Sequence, residues 1–238
     1  MSSDLENRYA VILKRIRAAC DRAGRYPASV QLLAVSKTQQ PDDVAAVAAL
    51  GIDTFGENRV QEARGKIPLC SSRLHWHLIG HLQSNKAREA VHLFEMIHSV
   101  DSLRMLETLD RFAADEGRSL PVCLEVNVSG ERSKFGLSPE QLQTTVEAAN
   151  KLFNVEIVGL MTIPPIAENP EEARPFFRAL RELRDRLSAE SGLALPELSM
   201  GMSHDFEIAI EEGATWIRLG TLLFGSRKRK ETDESGND

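Results

Sequence analysis

Only three cysteines occur in the 238 residues, Cys20, Cys70 and Cys123, far apart and with no CxxC pair. They point to neither a disulfide framework nor a zinc site. Basic side chains are outnumbered, 29 Lys and Arg against 35 Asp and Glu for a formal net charge of −6. A chain without cationic excess is poorly matched to a nucleic-acid backbone. No apolar run approaches the roughly 18–20 residues of a membrane span, and the opening MSSDLENRYA has no signal-peptide core. No Gly-x-Gly-x-x-Gly follows the first apolar run, so a dinucleotide site has no support. What is present, 42% hydrophobic and 27% charged residues, is the balance of a cytoplasmic globular protein, long enough for one α/β barrel.

Leu5, Tyr9, Ile12, Leu13 and Ile16 recur at helical spacing within residues 3–24. Eight short apolar runs follow, at 31–37, 53–58, 75–80, 96–101, 121–128, 155–163, 197–202 and 216–225, separated by amphipathic segments. Such alternation requires parallel strands joined by helical crossovers. The spacing therefore predicts a single (β/α)8 TIM barrel over 1–227 with an extra N-terminal helix; an open doubly wound sheet is the competitor. Residues 228–238, polar with mixed charge, read as a disordered tail.

In a parallel barrel the site lies at the C-terminal ends of the strands. Leu33, Val35 and Lys37 share one face of the first run, which places a lysine at its inner end. Burial there favours a neutral amine able to attack an aldehyde; a lysine reaching the rim to pair with a carboxylate is an equal reading. Ser203 ends the seventh run before a helix, and Gly220 follows Arg218 in the eighth. A hydroxyl and free amides there suit a phosphate, although Ser203 also reads as a plain N-cap and Gly220 as a packing contact. Pyridoxal phosphate, which carries an aldehyde and a phosphate on one ring, would join the two ends. A barrel aldolase using Lys37 on a phosphorylated sugar is a weaker reading of the same residues. Of His75, His77 and His81, only His75 and His77 share a face, and no carboxylate is placed to supply the third ligand a metal would need. Arg132 and Lys134, between Gly130 and Gly136, read as a solvated basic loop or a mobile lid. Glu211 and Glu212 read as a solvated helix face, and Phe176, Phe177, Leu180, Leu183 and Leu187 as a stripe packed on the barrel.

AVSKTQ (34–39), FGENRVQE (55–62), WHLIGHLQSNK (76–86), GLMTI (159–163), MGMSHDFEIAI (200–210) and IRLGTLLFG (217–225) together resemble the YggS-like pyridoxal phosphate homeostasis proteins. The fold of that family is similar to the N-terminal barrel domain of alanine racemase. The resemblance implies that Lys37 holds the cofactor as a Schiff base and that Ser203, Gly220 and Thr221 bind its phosphate. It also implies that Arg218 faces the pyridine nitrogen and that Asn58 and Met161 line the ring pocket. A guanidinium can only donate to that nitrogen and leaves it unprotonated, which disfavours carbanion chemistry. A racemase, the alternative, also needs an acid/base from a following β-domain, for which residues 226–238 are too short. The expectation is a monomeric, non-catalytic protein that buffers pyridoxal phosphate or delivers it to apo-enzymes.

Overall fold

The computed structural model describes residues 2–131 and 133–225; the tail and Arg132 lie outside the described residues. Eight parallel strands close into one barrel in sequence order. They are β1 (Gln31–Val35), β2 (Thr54–Glu57), β3 (His75–Leu78), β4 (Met96–Val100), β5 (Leu120–Glu125), β6 (Val155–Met161), β7 (Glu197–Met202) and β8 (Trp216–Leu219). Closure is made by β1 on β8, with Ala34 opposite Leu219.

Nine helices appear among the described residues. α1 (Ser2–Arg22) precedes the barrel, and α2 (Pro41–Ala48), α3 (Val60–Lys66), α4 (Ala87–Leu93) and α5 (Leu103–Asp115) follow the first four strands. α6 (Gln141–Ala149), α7 (Arg174–Ser191), α8 (Phe206–Glu211) and α9 (Thr221–Phe224) complete the set. Local signals set their ends. Pro41 opens α2, where Gln40 and Asp43 form a capping box. Ser102 Oγ accepts the Met105 N–H at 3.3 Å to start α5, and Gly192 stops α7 at φ 73°.

Phe177, Leu180, Leu183 and Leu187 are buried as the α7 stripe requires, while Phe176 is only half-buried. Two local expectations fail. The run 216–225 is not one strand: β8 stops at Leu219 and Thr221–Phe224 turns helical. Glu211 and Glu212 are not on a solvated face either. Glu212 is buried against Arg174, Arg178 and Arg181, and Glu211 bridges Arg22 and Arg174, locking α8 between α1 and α7. Cys20 and Cys123 are buried free thiols, and Cys70 is partly exposed. Among the described residues no helix is long and apolar enough to cross a membrane.

Candidate functional site at the C-terminal mouth

The seven residues expected at the site all fall on one contiguous arc of the barrel. Met161 ends β6, Ser203 follows β7, Arg218 lies in β8 with Gly220 and Thr221 beyond it, Lys37 follows β1 and Asn58 follows β2. Strands far apart in sequence are thus brought side by side. A Cβ on Gly220 would meet the Val35 carbonyl at 3.4 Å, so the loop after β8 abuts the end of β1 just before Lys37.

Lys37 itself departs from expectation. β1 ends at Val35, Ser36 and not Lys37 is the last buried residue, and Lys37 lies exposed in the following turn. The alternation stops because the chain leaves the sheet. Leu33 and Val35 do point inward, where they pack with Ile79 and Trp216.

Arg218 is 3% exposed. Its guanidinium donates to Ser199 Oγ at 2.8 Å and to the Thr162 carbonyl at 2.9 Å. Burial lowers its pKa to about 10, opposed by the carboxylates of Asp205 and Glu125, so the group stays cationic at neutral pH. Ser199 Oγ lies 2.7 Å from His98 Nδ1, and His98 Nε2 lies 3.0 Å from His77 Nδ1. Arg218 only donates to Ser199 Oγ, so the Ser199 hydroxyl proton is available to His98 Nδ1, and the tautomer that accepts it carries the ring protons of both histidines on Nε2. Burial holds His98 well below the usual histidine range and His77 at about 4. Neutral imidazoles thus line the barrel beside one fixed cation.

Sequence reading missed Ser199, His98 and Glu125. Each is a polar residue at an inward position of an otherwise apolar strand, a two-residue periodicity that was legible in HSV, LSM and LEV. Glu125 is pushed up to about 7, first by burial and then by Asp101, with Arg218 opposing. His75 and His77 also part company: His77 is buried against His98, whereas His75 is exposed and pairs with Glu95 at 2.8 Å. Among the described residues no three His, Cys, Asp or Glu side chains converge as a metal site would need.

Ser203 and the loop after β8 meet directly, with the Leu222 N–H 3.4 Å from Ser203 Oγ. The chain can enter this corner only because Gly201 adopts φ 90°, where a Cβ would press to 2.5 Å of Ala209 Cβ. Asp205 Oδ1 accepts the Met202 N–H at 2.6 Å and fixes the turn between them. Across the mouth Asn58 Oδ1 is buried and has no hydrogen-bond partner among the described residues, and Met161 is fully buried beside Met96 and Cys123.

The loop after β5 is not a free basic loop. Lys134 Nζ donates to the Ile163 carbonyl at 3.1 Å. Phe135 stacks on His81 with ring centroids 3.7 Å apart, and His81 pairs with Asp101 at 3.1 Å. The loop therefore spans the mouth from the β3 side to the β6 side.

The alanine racemase N-terminal domain family model matches residues 11–228. A pyridoxal phosphate homeostasis protein of Aquifex aeolicus is 49% identical over 222 residues, covering 93% of this chain and 97% of that protein. The chain belongs to the alanine racemase N-terminal domain family, on its pyridoxal phosphate homeostasis branch. Within that family, PipY of Synechococcus elongatus PCC7942 has been solved without and with PLP bound. The two structures match at TM-scores of 0.82 and 0.80 with 43% and 42% identity, covering 90% of this chain and 100% of PipY. The alanine racemase of Clostridium difficile 630 shares the fold at a TM-score of 0.76 and 14% identity, over 96% of this chain and 58% of the racemase.

Proposed function

We propose that this protein binds pyridoxal 5′-phosphate at the mouth and serves in its cellular homeostasis, as a buffer or as a donor to apo-enzymes. The observation that carries this reading is the gathering of a free lysine, two hydroxyl-bearing loops and a buried arginine on adjacent strands β7, β8 and β1. The residues fit the group. Asn58 offers a buried amide oxygen with no partner among the described residues. Ser203 and Thr221 offer hydroxyls beside Gly220, and Arg218 offers a cation held from below.

When bound, pyridoxal phosphate supplies an aldehyde that condenses with an amine and a pyridine ring that draws electrons. Lys37, exposed after β1, would provide that amine. Ser203, Gly220 and Thr221 would bind the phosphate, while Asn58 and Met161 would flank the ring. Arg218, a cation that can only donate, would face the ring nitrogen and leave it unprotonated. The electron-withdrawing power of the ring would then stay low, which suits storage better than carbanion chemistry. The names of the relatives support a non-catalytic role. We read the protein as a cytoplasmic monomer.

An absorbance spectrum of the purified protein before and after borohydride reduction, followed by peptide mapping, tests the seat. Adduct on Lys37, lost in Lys37→Ala, is the expected result; full retention of the adduct in that variant removes the assignment. Exchange of amino-acid α-protons with deuterated solvent at about 1 s⁻¹ or faster, an ordinary turnover, would instead make the protein an enzyme.

A further inference from the structure

The segment FGENRVQE supplies two carboxylates, Glu57 and Glu62, that the cofactor seat does not use. Both meet Lys66 behind the turn that carries Lys37. Lys66 is 5% exposed, and Nζ donates to the Ser36 carbonyl at 2.6 Å, to Glu57 Oε1 at 2.7 Å and to Glu62 Oε1 at 2.9 Å. All three ammonium protons are thereby used. Glu62 Oε1 also accepts the Thr38 N–H at 2.5 Å, and Ser36 Oγ donates to Glu57 Oε1 at 2.7 Å.

The covalent geometry gives these bonds their meaning. The Ser36 carbonyl belongs to the peptide that precedes Lys37, and the Thr38 N–H to the peptide that follows it. Both peptide groups of Lys37 are thus gripped by charged side chains one helical turn apart on α3. Charge-assisted bonds of this kind are about twice as strong as neutral ones. Thr38 has φ 66° and is the one non-glycine residue among the described residues with positive φ. A β-branched residue there is strained and persists only where its surroundings over-determine it. The Lys37 side chain, by contrast, has no hydrogen bond or ion pair among the described residues. The root of the side chain is fixed and its arm is free.

We propose that Lys66 and Glu62 are positioning residues for Lys37. They orient its Cα–Cβ bond so that only side-chain rotation separates the amine from its target. The proposal rests on Lys37 being the cofactor lysine, and it adds that residues behind the sheet set the reactivity of that lysine.

Glu62 is the residue to change first: its side chain is 26% exposed, and Lys66 keeps Glu57 when it is lost. In the cofactor-free protein, the Thr38 amide is expected to resist hydrogen exchange and to lose that protection in Glu62→Ala. The same variant should attach pyridoxal phosphate about tenfold more slowly and weakly, with a melting temperature within about 3 °C of the original. Glu62→Gln, which retains an acceptor oxygen, should recover most of the loss. Lys66→Met is made together with Glu57→Gln, so that no buried carboxylate is stranded, and should act in the same direction. Attachment at the original rate in Glu62→Ala overturns the proposal. So does a loss that merely follows a lowered melting temperature in both variants. A protected Thr38 amide in a protein that attaches nothing to Lys37 sinks the cofactor reading instead.

Discussion

The two faces of the barrel wall are built from different materials. Outward residues such as Phe55, Leu78, Ile97, Leu124, Leu160, Leu198 and Ile217 merge with the helices into one continuous apolar core. Inward residues form two small apolar clusters, one around Trp216 and one around Met161. Between them the interior holds His77, His98, Ser199, Arg218 and Glu125, all buried. Burying an ionised group is unfavourable unless it is paired and hydrogen-bonded. The outer face therefore carries the stability, and the inner face gives some of it up to hold a cation and a titratable carboxyl near the mouth.

Three substitutions put this division under strain. Phe177→Ala, on the outer side, should lower unfolding free energy by about 3–5 kcal/mol in chemical denaturation while leaving cofactor attachment to the remaining folded protein unchanged. A matching drop in attachment would show that the two faces are not separable. Glu125→Gln, on the inner side, should do the opposite and stabilise at high pH. The Glu125 carboxyl is raised to about 7, so its neutral form suits the fold; that contribution is complete below the ordinary carboxylate range and is lost as pH rises through 7. The variant should gain about 2–3 kcal/mol over the original protein at pH 8 and nothing near pH 4. A difference that does not change between those pH values would remove Glu125 from the list of buried acids. Ser199→Ala has the smallest expected effect. It withdraws the hydroxyl shared by Arg218 and His98, at about 1–2 kcal/mol, and should move the His98 ring signals in a nitrogen NMR spectrum. Unmoved signals would mean that the two side chains are held by something else.

The barrel was legible because parallel strands buried on both faces leave apolar runs at a regular interval, and eight of them have few ways to close. The last run was over-read for a local reason: Thr221, Leu222, Leu223 and Phe224 suit a buried strand or a helix equally, and Gly220 marked the break. Lys37 was singled out but expected at a buried strand end rather than in an exposed turn, since period-two counting cannot see where a strand ends. Glu211 and Glu212 were misread because their arginines lie in α1 and α7, more than thirty residues away along the chain. The pairing of His77 with His98 was hidden for the same reason, across neighbouring strands. The bracket around Lys37 had a visible half, since Glu62 and Lys66 sit at helical spacing, but its other half is backbone and leaves no trace in composition.

Closure of the sheet by β1 on β8 joins the beginning of the barrel to its end. The candidate site straddles that seam. During synthesis, Lys37 emerges long before Ser203 and Gly220, and a partial chain lacking the eighth strand is without Arg218, Gly220 and Thr221. A ligand bridging the seam would act as a stitch, lending its binding energy to the last join the polypeptide makes. Retention of such a ligand would then report that the ring has been completed.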